Sequence, residues 1–122
     1  MEEKKMPVWC AGEEWCAITA TAEVIGKKWY PVIIHRLLKN GPMGFNALKR
    51  DVGGISSKVL SENLEDLQGK GVVSRDIVNE KPVRVDYSLT EIGESLEPVI
   101  DSMRDWGSKH LRAPDVEDEA EA

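Results

Sequence analysis

The sequence predicts a mainly helical α+β domain. Apolar residues recur at helical spacing in four segments before residue 70, and they alternate with polar ones between residues 72 and 89. Helical spacing returns after Thr90. A chain of 122 residues is long enough for one small domain with short tails. We therefore expect an N-terminal arm at 1–15, a folded domain at 16–107 and a disordered acidic tail at 108–122.

The first three helices are predicted from apolar spacing and from their ends. Patterns at 16–26 and 29–38 indicate two helices, and the second has a broad apolar face that we expect to be mostly buried. Asn40-Gly41-Pro42 ends it, because glycine suits the position after a helix and proline cannot continue one. A short third helix fits 46–52.

A tight glycine turn separates the third helix from the fourth. Gly53-Gly54 forms the turn, and Ser56 is a good N-cap for the helix that follows. A core stripe and an outward face can be assigned on this helix from its periodicity. The stripe is Leu60, Leu64 and Leu67, and the outward face is Lys58, Ser61, Glu62 and Glu65.

The second half predicts a β-hairpin and a last helix. Segments 72–78 and 83–89 alternate as strands around a polar turn at 79–82. Thr90 is a natural N-cap for the last helix, which Pro98 is expected to kink. Its apolar residues follow a coiled-coil-like spacing and are predicted to form a dimer contact. They are Ile92, Leu96, Val99, Met103 and Trp106.

Charge is distributed unevenly along the chain. The net charge is −6, but residues 26–87 hold 11 lysines and arginines against 7 acids. Five acids lie in the last eight residues. Such asymmetry is typical of a basic binding module with acidic ends, although a solvated surface with a solubilising tail would look the same.

Several classes of protein are excluded by what the sequence lacks. No apolar run approaches the roughly 18 residues of a membrane span, and the first residues do not read as a signal peptide. We therefore expect a cytoplasmic protein that does not bind membranes. No catalytic constellation, Gly-rich phosphate loop or His/Cys cluster is present, so we expect neither an enzyme nor a bound metal or cofactor.

The order of elements is that of a winged helix-turn-helix. The glycine turn sets the fourth helix at an angle at which it can enter a DNA major groove, and the hairpin tip can reach the backbone or minor groove. The predicted partner is double-stranded DNA. The alternative for these residues is a solvated helix face and an ordinary hairpin edge. The candidate DNA contacts are Ser56, Ser57, Lys58, Ser61, Lys81 and Arg84.

Other side chains leave alternatives open. Arg75 contacts DNA or pairs with Asp86 across the hairpin, and the basic residues at 49–50 could position the backbone. Trp29 and Trp106 are predicted to pack in the core or between subunits. Acids at positions 62, 65 and 66 on the outward half of the fourth helix would repel phosphates and weaken affinity.

The run 16–107 resembles the HxlR family of winged-helix transcriptional regulators, relatives of the MarR type. The resemblance is carried by Ile25-Gly26-Lys27-Lys28-Trp29, by Gly54-Ile55-Ser56-Ser57-Lys58 and by the closing signature from Pro82 to Gly93. It implies a homodimer joined by the N-terminal and C-terminal helices. Asn63 is a departure, because such families often carry a basic residue there. Our expectation is a homodimer on an inverted-repeat operator. A winged-helix module that binds protein instead of DNA is the alternative.

Cys16 has two readings. A buried cysteine is usually inert, but one that opens a helix can have a lowered pKa and react with oxidants. The resemblance adds sensing as a candidate role, since several family members use a cysteine near this place, while packing is the role that we expect. Cys10 could be its resolving thiol. The sequence identifies neither an effector nor an operator.

Overall fold

The computed structural model describes residues 15–112, and the predicted arm, with Trp9 and Cys10, lies almost entirely outside them, as does most of the tail. The described part folds as the predicted winged helix-turn-helix. In order its elements are α1 (Ala17–Ile25), α2 (Tyr30–Asn40), β1 (Met43–Gly44), α3 (Phe45–Val52), α4 (Ser57–Gly69), β2 (Val73–Glu80), β3 (Val83–Leu89), α5 (Glu91–Glu94) and α6 (Glu97–His110).

Helix α2 lies at the centre of the core. Ile33 and Ile34 are fully buried, and Tyr30 and Leu37 nearly so, which confirms the predicted buried face. The helix contacts α1, α3, α6 and β3. The rest of the core comes from the turn before α4, from α3, α4 and α6, and from the start of β2. Those residues are Leu48, Ile55, Leu60, Leu64, Leu67, Val72, Val73 and Ile100.

The turn between α3 and α4 needs its two glycines. Gly53 and Gly54 have φ angles of 76° and 72°, in the left-handed region that side chains with a Cβ rarely occupy. The predicted N-cap is confirmed, because the Ser56 hydroxyl accepts a hydrogen bond of 3.1 Å from the backbone N–H of Val59. Sharp turn and cap together fix where α4 begins.

The sheet has one strand more than the sequence predicts. Its antiparallel strands lie in the order β1-β3-β2, and β1 has only two residues, too few for a detectable alternation. Strand β2 continues to Glu80, so the turn of the wing is only Lys81-Pro82. A bulge between Ile77 and Asn79 shifts the register near the tip.

The single last helix predicted from the sequence is wrong, since two helices form there. Helix α5 ends at Glu94, and α6 restarts at Glu97 with Pro98 in its first turn, where the missing N–H costs nothing. Pro98 therefore opens a helix instead of kinking one. Ile92 lies on α5, away from the stripe of α6, whose buried residue is Ile100. Helix α6 also extends through 108–110, which we had predicted as tail.

Thr90 and Gly93 join the wing to the C-terminal helices. The Thr90 hydroxyl donates to the carbonyl of Gly71 at 2.6 Å and accepts from the N–H of Gly93 at 3.1 Å. A Cβ on Gly93 would lie 2.3 Å from the carbonyl oxygen of Val72. Because that neighbour is backbone, only glycine fits, which gives a physical reason for part of the closing signature.

We expect Gly93→Ala to lower the free energy of unfolding by about 2–3 kcal/mol, because the clash with backbone cannot be relieved by a rotamer change. Urea unfolding followed by tryptophan fluorescence measures it. Gly69→Ala is the matched control: nothing lies within 4 Å of the added methyl at the end of α4, so this variant should equal or exceed wild-type stability. Equal losses in both variants would contradict the assignment.

Candidate nucleic-acid interface

The outward face of α4 is a row of exposed polar side chains. Ser57, Lys58 and Ser61 are exposed as predicted, and the Lys58 side chain is 83% exposed. Its Nζ lies 3.9 Å from a carboxylate oxygen of Glu62, one turn further on. Ser56 uses its oxygen as the cap, which leaves its hydroxyl proton available to a phosphate. The N-terminal half of α4 therefore offers donors and a cation on one surface.

The tip of the wing carries two exposed cations. Lys81 and Arg84 are both exposed, and the Nε of Arg84 lies 3.7 Å from Oδ1 of the mostly buried Asp86 carboxylate. The alternative pairing of Arg75 with Asp86 is wrong. Arg75 is opposite Tyr87 in the register, so its side chain and that of Asp86 project from opposite faces of the hairpin.

Asp66, predicted on the outward half of α4, has a side chain that is 44% exposed and is engaged by two neighbours. The hydroxyl of Tyr30 on α2 donates a hydrogen bond to Oδ2 of Asp66, and Nζ of Lys70 lies 2.9 Å from the same oxygen. These hydrogen bonds hold the pKa of Asp66 below its usual value. Burial, together with the bond to Asp66, raises the pKa of Tyr30 to about 12. This network fastens α4 to α2 and places a cation against one of the acids of α4.

Sequence reasoning missed this network because its partners are 36 residues apart. The available signals were the i,i+4 spacing of Asp66 and Lys70 on one helix and a tyrosine at the start of a buried helix, where a hydroxyl needs a partner. Lys27 adds a nearby positive charge that also lowers the pKa of Asp66. Asn63, the departure from the family pattern, donates from Nδ2 to the carbonyl of Val59 at 2.6 Å.

The remaining basic and aromatic candidates are divided between core and surface. Arg50, in the last turn of α3, is exposed, whereas Lys49 is partly covered. Trp29 packs against the core, with Nζ of Lys28 4.8 Å above its ring. Trp106 is 58% exposed, and its ring lies 5.1 Å from that of His110. Trp106 is therefore not packed in the core, which was one of the two roles predicted for it.

Helices α1 and α6 leave apolar surface uncovered. Helix α1 has no buried residue, and Ile18 is exposed on it. Ile92, Met103 and Trp106 are also exposed, whereas Leu96 packs against the core. Within residues 15–112, no helix is long and apolar enough to cross a membrane and no cluster of potential metal ligands occurs.

Cys16 is the N-cap of α1. It is partly buried, has an extended backbone conformation and accepts a hydrogen bond from the N–H of Ala20 through its carbonyl at 2.9 Å. Its side chain does not cap the helix. Its predicted partner, Cys10, lies outside the described residues.

A short helix, a glycine turn, a helix with an exposed polar face and a hairpin with a basic tip define a winged helix-turn-helix DNA-binding protein. The model of the HxlR-like helix-turn-helix family matches residues 24–115, and the chain belongs to this family. The expectation from the sequence motifs is thus confirmed.

Individual relatives agree with this assignment. The chain is 39% identical over 106 residues to the HTH-type transcriptional regulator YkvN of Bacillus subtilis, covering 87% of this chain and 89% of the relative. The oxidized form of the redox regulator HypR has a TM-score of 0.73 at 33% identity, covering 80% of this chain and 100% of that one. The reduced form of the regulator YodB from Bacillus subtilis has a TM-score of 0.70 at 33% identity, covering 81% and 96%. The chain is therefore a DNA-binding transcriptional regulator and not an enzyme.

Tyr30→Phe tests the link between α2 and α4. Loss of the hydroxyl should raise the pKa of Asp66 toward its usual value and lower the free energy of unfolding at neutral pH by about 1–2 kcal/mol. NMR titration of the carboxyl carbon and urea unfolding measure the two effects. Tyr87→Phe is the matched control. It also removes a phenolic hydroxyl, but Tyr87 lies on β3, so the pKa of Asp66 should stay unchanged.

The sign of the pH dependence follows from the two shifts. Asp66 has a lowered pKa, so its contribution to the free energy of unfolding is fully present above the pKa of the unfolded state. It is lost as the pH falls through the pKa of the folded state. Tyr30 has a raised pKa, so its contribution is present below pH 10.0 and is lost as the pH rises toward about 12. The difference in free energy of unfolding between wild type and Tyr30→Phe should therefore shrink at acidic and at alkaline pH. A difference independent of pH would contradict the network.

Proposed function

We propose that the chain acts as a homodimer on an inverted-repeat operator. The bound dimer would regulate transcription by sterically blocking it at that site. The observation that carries this is the exposed face of α4 beside a wing with a basic tip. In each subunit α4 would enter a major groove and the wing would contact the neighbouring backbone. Such a regulator works where the chromosome is, so the cytoplasm is its proposed location.

The proposed contacts divide between phosphates and bases. Ser56, Ser57 and Lys58 lie at the start of α4, where backbone N–H groups and a cation suit a phosphate. Ser61 and Glu62 lie one turn further along the exposed face. A hydroxyl can bond to any base edge and a carboxylate accepts from N4 of cytosine, so these two residues are the candidates for reading sequence.

Uncovered apolar surface supports the homodimer. Helix α1 buries nothing fully within one subunit, and an apolar helix face left in water is unfavourable. The exposed Met103 and Trp106 on α6, with Ile92, Leu96 and Val99, make up the proposed dimer contact together with α1. Dimerisation would then set the spacing of the two α4 helices.

Cys16 is the proposed redox switch. Two of the similar solved structures support this role. One is of the redox regulator HypR in its oxidized form, and the other is of YodB with a bound quinone. Here Cys16 opens α1, next to the proposed dimer surface. Oxidation by hydrogen peroxide would join its Sγ to the thiol of Cys10 or to the partner's Cys16. The two thiols give up two electrons and two protons, and the peroxide leaves as two water molecules. The bond would rearrange α1 and so change the spacing of the DNA-binding helices.

We expect Arg84→Ala to weaken binding to all duplexes and to flatten its salt dependence. The wild-type slope of log K against log[salt] should be roughly −4 to −5, and losing one phosphate contact per subunit should bring it about 2 closer to zero. Fluorescence anisotropy across a salt series measures it. Lys109→Ala, which removes the same charge from the end of α6, should keep the wild-type slope. Absence of duplex binding by the wild type would favour the protein-binding alternative.

Substituting Trp106 tests the dimer contact. Trp106→Ser should increase the dissociation constant of the dimer at least tenfold, since it removes a large apolar side chain from the proposed interface. Sedimentation equilibrium measures the constant. Ile77→Thr changes an exposed apolar residue of the wing and should leave the dimer intact. Equal dissociation constants for wild type and Trp106→Ser would refute the contact.

The redox switch predicts that peroxide releases the wild-type protein from DNA, that dithiothreitol restores binding, and that Cys16→Ser binds under both conditions. Anisotropy with and without oxidant measures the release, and alkylation rate against pH gives the pKa of the thiol. Cys10→Ser distinguishes the two disulfides, because it abolishes release only when Cys10 is the partner. Oxidant-independent affinity in the wild type would make Cys16 a packing residue.

A further inference from the structure

Helix α4 has a single polar side-chain link to the other elements of the fold. Among the side-chain hydrogen bonds and ion pairs of residues 15–112, only the bond from the Tyr30 hydroxyl to Asp66 joins α4 to another helix or strand. The bonds that Asn63 and Gln68 donate stay within α4. The main backbone neighbour of α4 is β2, which lies on the other side of the chain from α2 in the element order. The link to α2 therefore depends on one side chain.

The buried stripe of α4 fixes the position of the helix better than its rotation. Leu60, Leu64 and Leu67 are almost completely buried, and they keep the helix against the core. Apolar contact is non-directional, whereas a hydrogen bond weakens steeply when its angle changes. The bond from Tyr30 is therefore the contact that resists a rotation of α4 about its own axis.

The Asp66 carboxylate is held at this place by two groups. Tyr30 is only 5% exposed, so its hydroxyl is offered from a ring that the core immobilises. Nζ of Lys70 lies 2.9 Å from the same carboxylate oxygen and 6.0 Å from the centre of the Tyr30 ring. Phenol, carboxylate and ammonium thus lie together, and each restricts the conformations of the other two.

The side of α4 that carries this cluster also carries proposed DNA contacts. Residues spaced by four lie in one row along a helix, and this row is Lys58, Glu62, Asp66 and Lys70. Since a helix with its side chains has a radius of about 5–6 Å, a rotation by about 20° would move these groups by about 2 Å. Such a shift breaks a hydrogen bond to a base edge, whereas the attraction between a lysine and a phosphate persists over several ångströms.

We propose that Tyr30 is a positioning residue for DNA recognition, because its bond to Asp66 sets the rotation of α4 and thereby the sequence that the protein prefers. Tyr30 acts through α4 and contacts no base itself. The proposal rests on the proposed entry of α4 into the major groove. It differs from a role in stability alone because it concerns discrimination between sequences, which phosphate contacts do not provide.

The test compares wild type with Tyr30→Phe on two duplexes of equal length. One is selected by the wild-type protein from a random pool, and in the other the base pairs that selection fixes are replaced. We expect the ratio of the two dissociation constants to fall about fivefold in Tyr30→Phe, as for the partial loss of one base contact. The affinity for the replaced duplex should stay within about twofold of wild type, since phosphate contacts dominate it. Fluorescence anisotropy measures both constants.

A second pair of variants removes and restores the bond from the side of α4. Asp66→Ala changes a partly exposed side chain, so it folds even where a change at Tyr30 is costly, and it should lower the ratio as Tyr30→Phe does. Asp66→Asn keeps an oxygen that can accept from the Tyr30 hydroxyl and should retain most of the wild-type ratio.

Ile100→Val is the control for lost stability, because it removes a methylene group from the core on α6 and leaves the bond between Tyr30 and Asp66 in place. It should keep the wild-type ratio. An unchanged ratio in Tyr30→Phe and Asp66→Ala, or an equal fall in Ile100→Val, would overturn the inference. So would an equal loss of affinity for both duplexes, which would make Tyr30 a stability residue only. If the wild type binds no duplex, the proposed function itself fails.

Discussion

The packing of helix α2 is the constraint on which the other parts depend. Ile33 and Ile34 are fully buried, and the helix contacts elements on every side. At its start Tyr30 bonds to Asp66 of α4, and on another side it packs against α6. The helix proposed to enter DNA and a helix of the proposed dimer surface are therefore both attached to α2. A change at the dimer surface that shifts α2 would carry α4 with it.

Local charge compensation explains how an acidic chain can bind a polyanion. The net charge of −6 is misleading, because two of the three acids of α4 have cationic neighbours: Lys58 lies near Glu62, and Lys70 lies near Asp66. Asp66 is further occupied by a hydroxyl from α2. Affinity then depends on the exposed cations outside these two pairs, among them Arg50 of α3 and Lys81 at the tip of the wing.

The predictable parts of the fold are those written in short-range patterns. Leu60, Leu64 and Leu67 are buried as their spacing predicts, and Ser56 caps α4. The hydrogen bond that Asp66 accepts comes from a tyrosine 36 residues away, which no local pattern encodes. The break between α5 and α6 was missed because apolar spacing continued across it, whereas backbone geometry decided it at Pro98. Candidate contacts could be placed on surfaces from the sequence, but their ion pairs could not.

The buried and exposed faces of α4 have different roles, and this difference has an evolutionary consequence. The buried stripe holds the helix in the domain, whereas Ser57, Ser61 and Glu62 are exposed and contribute nothing to the core. Substitutions at the exposed positions leave stability almost untouched, so drift there is not opposed by selection for folding. After gene duplication, two copies can diverge in the DNA they recognise within a few mutational steps. A scaffold of this kind can supply one genome with many regulators that differ in little more than one face of one helix.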